Sequence, residues 1–206
     1  MTTPRHSEEG TPPRRNVAIL LFDGVEVLDF AGPFEVFSVA GRRDDLDPFN
    51  VYTVAETGRP ILARNELSVN PRYTIDNCPA PDIVVVPGGF GTRREIDNPT
   101  IIEWIRRVSA ASEITFSVCT GALLLGKAGL LDGQRATTHF AAFLELAAAA
   151  PGAALAVREK VVDNGRIVTS AGISAGIEAA LHLVGRLIGQ AHAVETARYM
   201  EYDWRP

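Results

Sequence analysis

Three short and almost unbroken apolar runs dominate what this chain can become: NVAILLF at 16–22, DIVVV at 82–86 and ITFSV at 114–118. Each has the length of a strand, and an apolar run with no polar alternation is buried on both faces, the condition of a central strand in a parallel sheet. Parallel strands need crossover connections, and the segments between the runs supply helical spacing. Residues 29–40 predict a helix beginning around Gly32, with Pro33 tolerated in its first turn. At 98–111, Asn98 can cap, Pro99 takes the first helical position, and Ile101, Ile102, Ile105 and Val108 form one apolar stripe. Residues 120–127 read as a helix that starts with no loop after the third run.

The remaining pattern adds a strand at 49–55, small strands at 61–63 and 67–69 followed by loop, and a short strand near 136–138. A helix at 139–150 and strand candidates at 154–157, 160–162 and 167–169 follow. Two helices come last, at 173–188 with Ile177, Leu181, Val184 and Ile188 inward, and at 191–200. Alternation of this kind predicts an α/β fold, a doubly wound parallel sheet sandwiched by helices, with ligands bound beyond the carboxyl ends of the strands.

Composition narrows the partners. With 206 residues, 46% of them hydrophobic, one compact domain is expected over residues 16–206, after a polar, flexible tail at 1–15 that lacks the apolar segment of a signal peptide. Twenty Lys and Arg against 25 Asp and Glu give a net charge of −5 with no basic stripe, which argues against nucleic acid. No apolar run approaches the roughly 18 residues needed to cross a bilayer. No membrane association is expected, and a cytoplasmic location is. Cys78 and Cys119 fit free thiols, and His6, His139, His182 and His192 lack zinc-site spacing, so no metal is expected.

Ser117-Val118-Cys119-Thr120-Gly121 has the form small-x-nucleophile-x-small, the steric requirement of a sharp strand-to-helix elbow. Cys119 fills the nucleophile place. A free cysteine is more commonly a small buried hydrophobe, but the junction favours a reactive thiol, and a helix N-terminus would lower its pKa by up to about 2 kcal/mol of interaction. The turns at 23–29 and 87–91 follow buried strands and should converge on the same crevice. There Gly88 and Gly89 permit close backbone approach, and the Gly89 and Thr120 amides are expected to form an oxyanion-type site beside the sulfur, with an ordinary glycine turn as the alternative. Cys78 reads as structural, His182 as a core histidine and Glu35 as solvent-facing. Phe90, Phe116 and Phe140 are candidates for a substrate side-chain pocket.

LFDGVEVLDFAGPFEVF, DIVVVPGGFG, FSVCTGALLLGKAGLLDGQRATTH and ISAGIEAALHLV together resemble the ThiJ/PfpI superfamily, related to class I glutamine amidotransferases, over roughly residues 16–200. The LDFAGP and CTGALLLG…RATTH segments are most similar to isonitrile hydratases and to the amidase-like domain of AraC-type regulators. The resemblance implies a flavodoxin-like three-layer fold, a homodimer and a small-molecule substrate. It also implies Cys119 as nucleophile, Asp29 as its acidic partner, Thr120 beside the sulfur and Gly89 at the anion pocket. Asp29 stands where the deglycase branch carries glutamate, which argues against a glyoxalase or deglycase. His139 would complete a Cys-His pair as in the protease-like branch, or simply pack or cap a helix.

On this reading Cys119 and Asp29 share one proton as thiolate and carboxylic acid. Water is added to an isonitrile through a thioimidate, giving an N-substituted formamide without a cofactor. A cysteine-based redox or small-molecule sensor is the competing class, and an amidase-like hydrolase or a glyoxalase or deglycase is a third reading. The expectation of an enzyme rests on there being no room for a helix-turn-helix between Met200 and Pro206.

Overall fold

The structure, a computed structural model, describes residues 14–44 and 46–205. In chain order its elements are β1 (Arg15–Leu21), α1 (Val27–Val39), β2 (Phe49–Ala55), β3 (Ile61–Leu62), β4 (Ser68–Val69), β5 (Tyr73–Thr74), β6 (Ile83–Val86), α2 (Thr92–Glu95), α3 (Pro99–Ala111), β7 (Ile114–Val118), α4 (Gly121–Lys127), β8 (Arg135–Ala136), α5 (Phe143–Ala149), β9 (Ala154–Leu155), β10 (Val161–Asp163), β11 (Ile167–Ser170), α6 (Ala175–Ile188) and α7 (Gln190–Tyr199). Of the tail expected at 1–15, residues 1–13 lie outside the described residues, and Arg15 already pairs with Phe49 in the sheet.

Seven strands form one sheet in the order β10-β11-β7-β6-β1-β2-β5, parallel throughout except for the antiparallel edge pair β10 and β11. The three apolar runs are its centre. Val17, Ala18, Ile19 and Leu20 of β1, all of β6, and Ile114, Phe116 and Val118 of β7 are fully buried. Burying a side chain of Val or Ile size stabilises by roughly 1.5–3 kcal/mol, so this row anchors the fold. Helices α1, α6 and α7 pack together, and α2, α3 and α5 gather around α4. These two layers flank the sheet, in the three-layer arrangement that the alternating pattern predicts.

Helix α3 forms as its sequence dictates: the Asn98 side chain accepts the Thr100 N–H, Pro99 is at the first position, and the predicted stripe is buried. Elsewhere the boundaries move. Helix α1 begins at Val27, not near Gly32, so Pro33 lies in its interior and cannot donate to the Asp29 carbonyl. The shift puts Asp29 in the first turn of a helix and not in a loop. Helix α5 starts at Phe143, four residues after the expected start at His139. The preceding residues are spent tying the chain down, with the Thr138 hydroxyl donating to the Cys119 carbonyl and Ala142 N–H to the His139 carbonyl. Helix α6 begins at Ala175, leaving Ile173 in the loop. Residues 73–74, expected as loop, add β5 to the sheet edge, where Tyr73 meets Tyr52 edge to face.

Candidate active site

The segments that follow the carboxyl ends of four adjacent strands, β11, β7, β6 and β1, meet in one place. They bring together Ile173, Cys119, Gly88 and Asp29. Cys119 is the elbow: its φ of 57° is in the left-handed region, a strain of order 1–3 kcal/mol for a residue with a Cβ. The small residue after it is obligatory, since a Cβ on Gly121 would lie 2.0 Å from the Val86 carbonyl oxygen. Gly88 is equally confined: a Cβ there would come within 2.5 Å of the Thr120 nitrogen and 2.9 Å of Asp29 Oδ2. The approach that excludes a side chain lets the Gly88 N–H donate to Asp29 Oδ2 at 2.9 Å.

Asp29 is fully buried, and its Oδ1 has no hydrogen-bond partner of good geometry. Burial raises its pKa, the Gly88 N–H opposes that, and the charge of Glu26 adds to the rise, leaving it at about 7. Cys119 is 5% exposed and faces the same carboxyl group. Its thiol is pushed up to about 12, first by burial and then by the Asp29 charge, while the Thr120 and Ile173 amides that face the sulfur pull the other way. The expected lowering by the helix N-terminus is therefore overturned, because desolvation of a buried thiolate outweighs two amides at the start of a seven-residue helix. The two groups titrate as a coupled pair, each raised by burial, and between these two values they hold a single proton between them.

The oxyanion arrangement also differs from expectation. The Gly89 N–H is not free, since it donates to Thr120 Oγ1 at 2.9 Å, and the Gly88 N–H is held by Asp29. The amides that do face Cys119 are those of Thr120 and Ile173. Ile173 was missed by sequence reasoning, which placed it inside a helix. Its φ of 54°, unusual for a β-branched residue, turns its N–H toward both Cys119 and Asp29. Only a fourth strand-end loop could have pointed to it.

A cleft of about 190 Å³ opens onto the sulfur, with Glu26, Phe90, Arg93, His139, Ala141 and Ile173 in its walls. His139 stacks against Phe140 with ring centroids 4.4 Å apart, and its Nδ1 accepts the Ala141 N–H at 3.3 Å, which leaves the ring's other nitrogen as the donor. Of the aromatic candidates, Phe90 lines the cleft, whereas Phe116 is fully buried inside β7 and Phe140 is 82% exposed. His182 is no core histidine: it is exposed on α6 and bonds Asp163 at 2.7 Å. Glu35 is exposed as expected. A larger cavity of about 670 Å³ lies beyond the ends of β1 and β2, and within its lining Glu95 pairs with Arg94 and Asn98, and Asn98 with Glu56. Neither Cys119 nor Asp29 lines it. Among the described residues no group of three or more His, Cys, Asp or Glu is arranged to hold a metal ion, and no helix is long and apolar enough to cross a membrane.

Known proteins similar to this chain fall into different functional classes. The chain is 36% identical to the isonitrile hydratase of Pseudomonas putida over 92% of its own length and 79% of that protein's. It is 28% identical to the HTH-type transcriptional regulator GbdR of Pseudomonas aeruginosa over 94% of its length, and spans about half (53%) of that regulator. Among solved structures it superposes on a ThiJ/PfpI family protein from Pseudomonas syringae with a TM-score of 0.84 at 28% identity, covering 100% of this chain and 84% of that one. The DJ-1/PfpI family profile matches residues 15–186. With that match over most of its length, and a cysteine at the β7–α4 elbow, the chain belongs to the DJ-1/PfpI family.

Proposed function

We propose that this protein is an isonitrile hydratase-like enzyme, with Cys119 as nucleophile and Asp29 as the group that moves its proton. The observation that carries the reading is the buried Cys119–Asp29 pair at the floor of a small cleft, with Asp29 held at about 7. An acid–base group works best when its pKa is near the operating pH. The 36% identity to an isonitrile hydratase supports the choice of substrate class.

The reaction balances without a cofactor. Asp29 takes the proton from the Cys119 thiol as sulfur bonds to the terminal carbon of the isonitrile, then returns it to that carbon. The product is a thioimidate, N=CH–S, on Cys119. Asp29, again ionised, removes a proton from water as its oxygen attacks the same carbon, and passes that proton to nitrogen. The C–S bond breaks as the carbonyl forms, the hydroxyl proton returns to sulfur, and an N-substituted formamide leaves. The walls formed by Phe90, Ala141 and Ile173 suit a compact apolar substituent.

The test is multiple turnover. Purified protein given an aryl isonitrile should release many equivalents of formamide per chain, Cys119→Ala should release none, and mass spectrometry of quenched protein should find a substrate-sized adduct on Cys119. The regulator relative supports a second reading, a sensor that binds or is modified once per chain. A single equivalent consumed, with no formamide accumulating, would decide for the sensor.

A further inference from the structure

Resting on the reading of this chain as an isonitrile hydratase-like enzyme, we infer that Thr120 donates a hydrogen bond to substrate from its hydroxyl, and that Thr92 is a positioning residue that, with Arg93, keeps that donor available. The inference comes from counting donors around one carbonyl oxygen. The Gly89 carbonyl is approached by the Thr92 hydroxyl at 2.8 Å, by the Arg93 guanidinium at 3.2 Å, by the Thr92 N–H at 3.3 Å and by the Thr120 hydroxyl at 3.2 Å. A carbonyl oxygen has two lone pairs, so four donors exceed its capacity. The one hydroxyl at normal O–H···O length is that of Thr92, and a hydroxyl at 3.2 Å is long for such a bond.

Thr120 is therefore the surplus donor. Its acceptor side is well occupied, by the Gly89 N–H at 2.9 Å, which fixes the oxygen in place. The other resting destination for its proton, Thr92 Oγ1, is also at 3.2 Å, and that oxygen already receives Arg93 at 3.3 Å. Thr120 borders the cleft beside Cys119, so a ligand atom that gains a lone pair there can accept a hydrogen bond from this hydroxyl at little cost. In the proposed reaction that atom is the isonitrile nitrogen, which has no lone pair until sulfur bonds to carbon. A donor satisfied only in the transition state raises kcat without strengthening ground-state binding.

Arg93 is held for this task from outside. Its Nε and Nη2 form a two-pronged ion pair with Glu145 of α5, both at 2.7 Å, which aims Nη1 back at the Gly89 carbonyl. Thr92 itself is fully buried, so its hydroxyl has no solvent alternative. No signal in the sequence marked either residue.

The experiment is a mutant cycle with a structural arm. Thr92→Val removes the hydroxyl at nearly constant volume. Thr120 then closes on the vacated carbonyl, and kcat per alkylatable Cys119 falls about tenfold or more with KM little changed. Thr92→Ser, which keeps the hydroxyl, recovers most of the loss, and the exposed Arg93→Lys gives an intermediate drop. In a Thr120→Val background, Thr92→Val has no further effect on kcat, because both act through one proton. Undiminished kcat in Thr92→Val, or multiplicative losses in the double variant, overturns the inference. The structural arm does not depend on the substrate: in a crystal structure of Thr92→Val the Thr120 Oγ1 to Gly89 oxygen distance contracts to about 2.8 Å, an ordinary hydroxyl bond. If the wild type releases no formamide, the substrate reading fails and this distance alone decides, an unchanged separation refuting the role of Thr92.

Discussion

Replacing Asp29 by asparagine should abolish turnover and yet stabilise the protein, by an amount set by pH. The side chain is fully buried and its pKa is raised from 3.8 to about 7, chiefly by desolvation. Below the ordinary carboxylate value the proton is bound in both folded and unfolded chains, and folding carries no penalty. Between that value and about 7 the unfolded chain releases the proton while the folded protein keeps it, so wild-type stability falls with rising pH at about 1.4 kcal/mol per unit. Above about 7 the loss is complete, at about 4 kcal/mol as an upper bound. Asparagine never ionises, keeps an acceptor for the Gly88 N–H, and adds a pH-independent cost of about 1–3 kcal/mol if its amide is left unpaired. Urea unfolding of both proteins from pH 4.5 to 8.5 measures the difference, in which every other titrating group cancels. The stability of the variant relative to wild type should climb through this range and flatten above pH 7. A difference that does not change with pH would show that Asp29 is ionised and well solvated in the folded protein, and the shared-proton argument would fall.

On the proposed mechanism the same pair sets the pH profile of catalysis. With the proton on sulfur and Asp29 acting as its acceptor, kcat/KM for an isonitrile should rise with pH through about 7, and Glu26→Gln, which removes a charge that raises Asp29, should move that limb to lower pH. An unmoved limb in the variant would assign it to another group. At the elbow, Gly121→Ala would force a methyl to within 2.0 Å of the Val86 carbonyl oxygen, so the β6–β7 backbone must shift. A loss of about 3 kcal/mol or failure to fold is expected in thermal or denaturant unfolding, and wild-type stability would contradict the packing reading.

Much of the scaffold was legible because it is encoded locally. Phe49–Ala55 and Ile114–Val118 form strands at the predicted residues, and the cap and stripe of α3 are a property of neighbours in sequence. The elbow was legible for the same reason, since small residues around Cys119 are a steric demand within one turn. Boundaries failed where long-range contacts outbid local preference. Ile173 has a helix-like context but is turned to a positive φ at the reactive pair, and His139 is held in a turn by a chain that first ties itself to the elbow carbonyl.

The protonation states could not be read at all. A cysteine before a helix suggests a lowered pKa, whereas here burial raises it, and burial is a sum over atoms from many elements. Likewise the Gly88 and Gly89 amides are occupied by Asp29 and Thr120, 59 and 31 positions away, and the Gly89 carbonyl that Thr92 and Arg93 crowd locally also meets Thr120 from 31 positions away. The order of residues determined that a buried parallel sheet would form and that a cysteine would stand at the bend above it. Which atoms hold the proton, and which donors remain for a ligand, was decided only by folding, because desolvation and hydrogen-bond competition depend on distances that no run of neighbouring residues specifies.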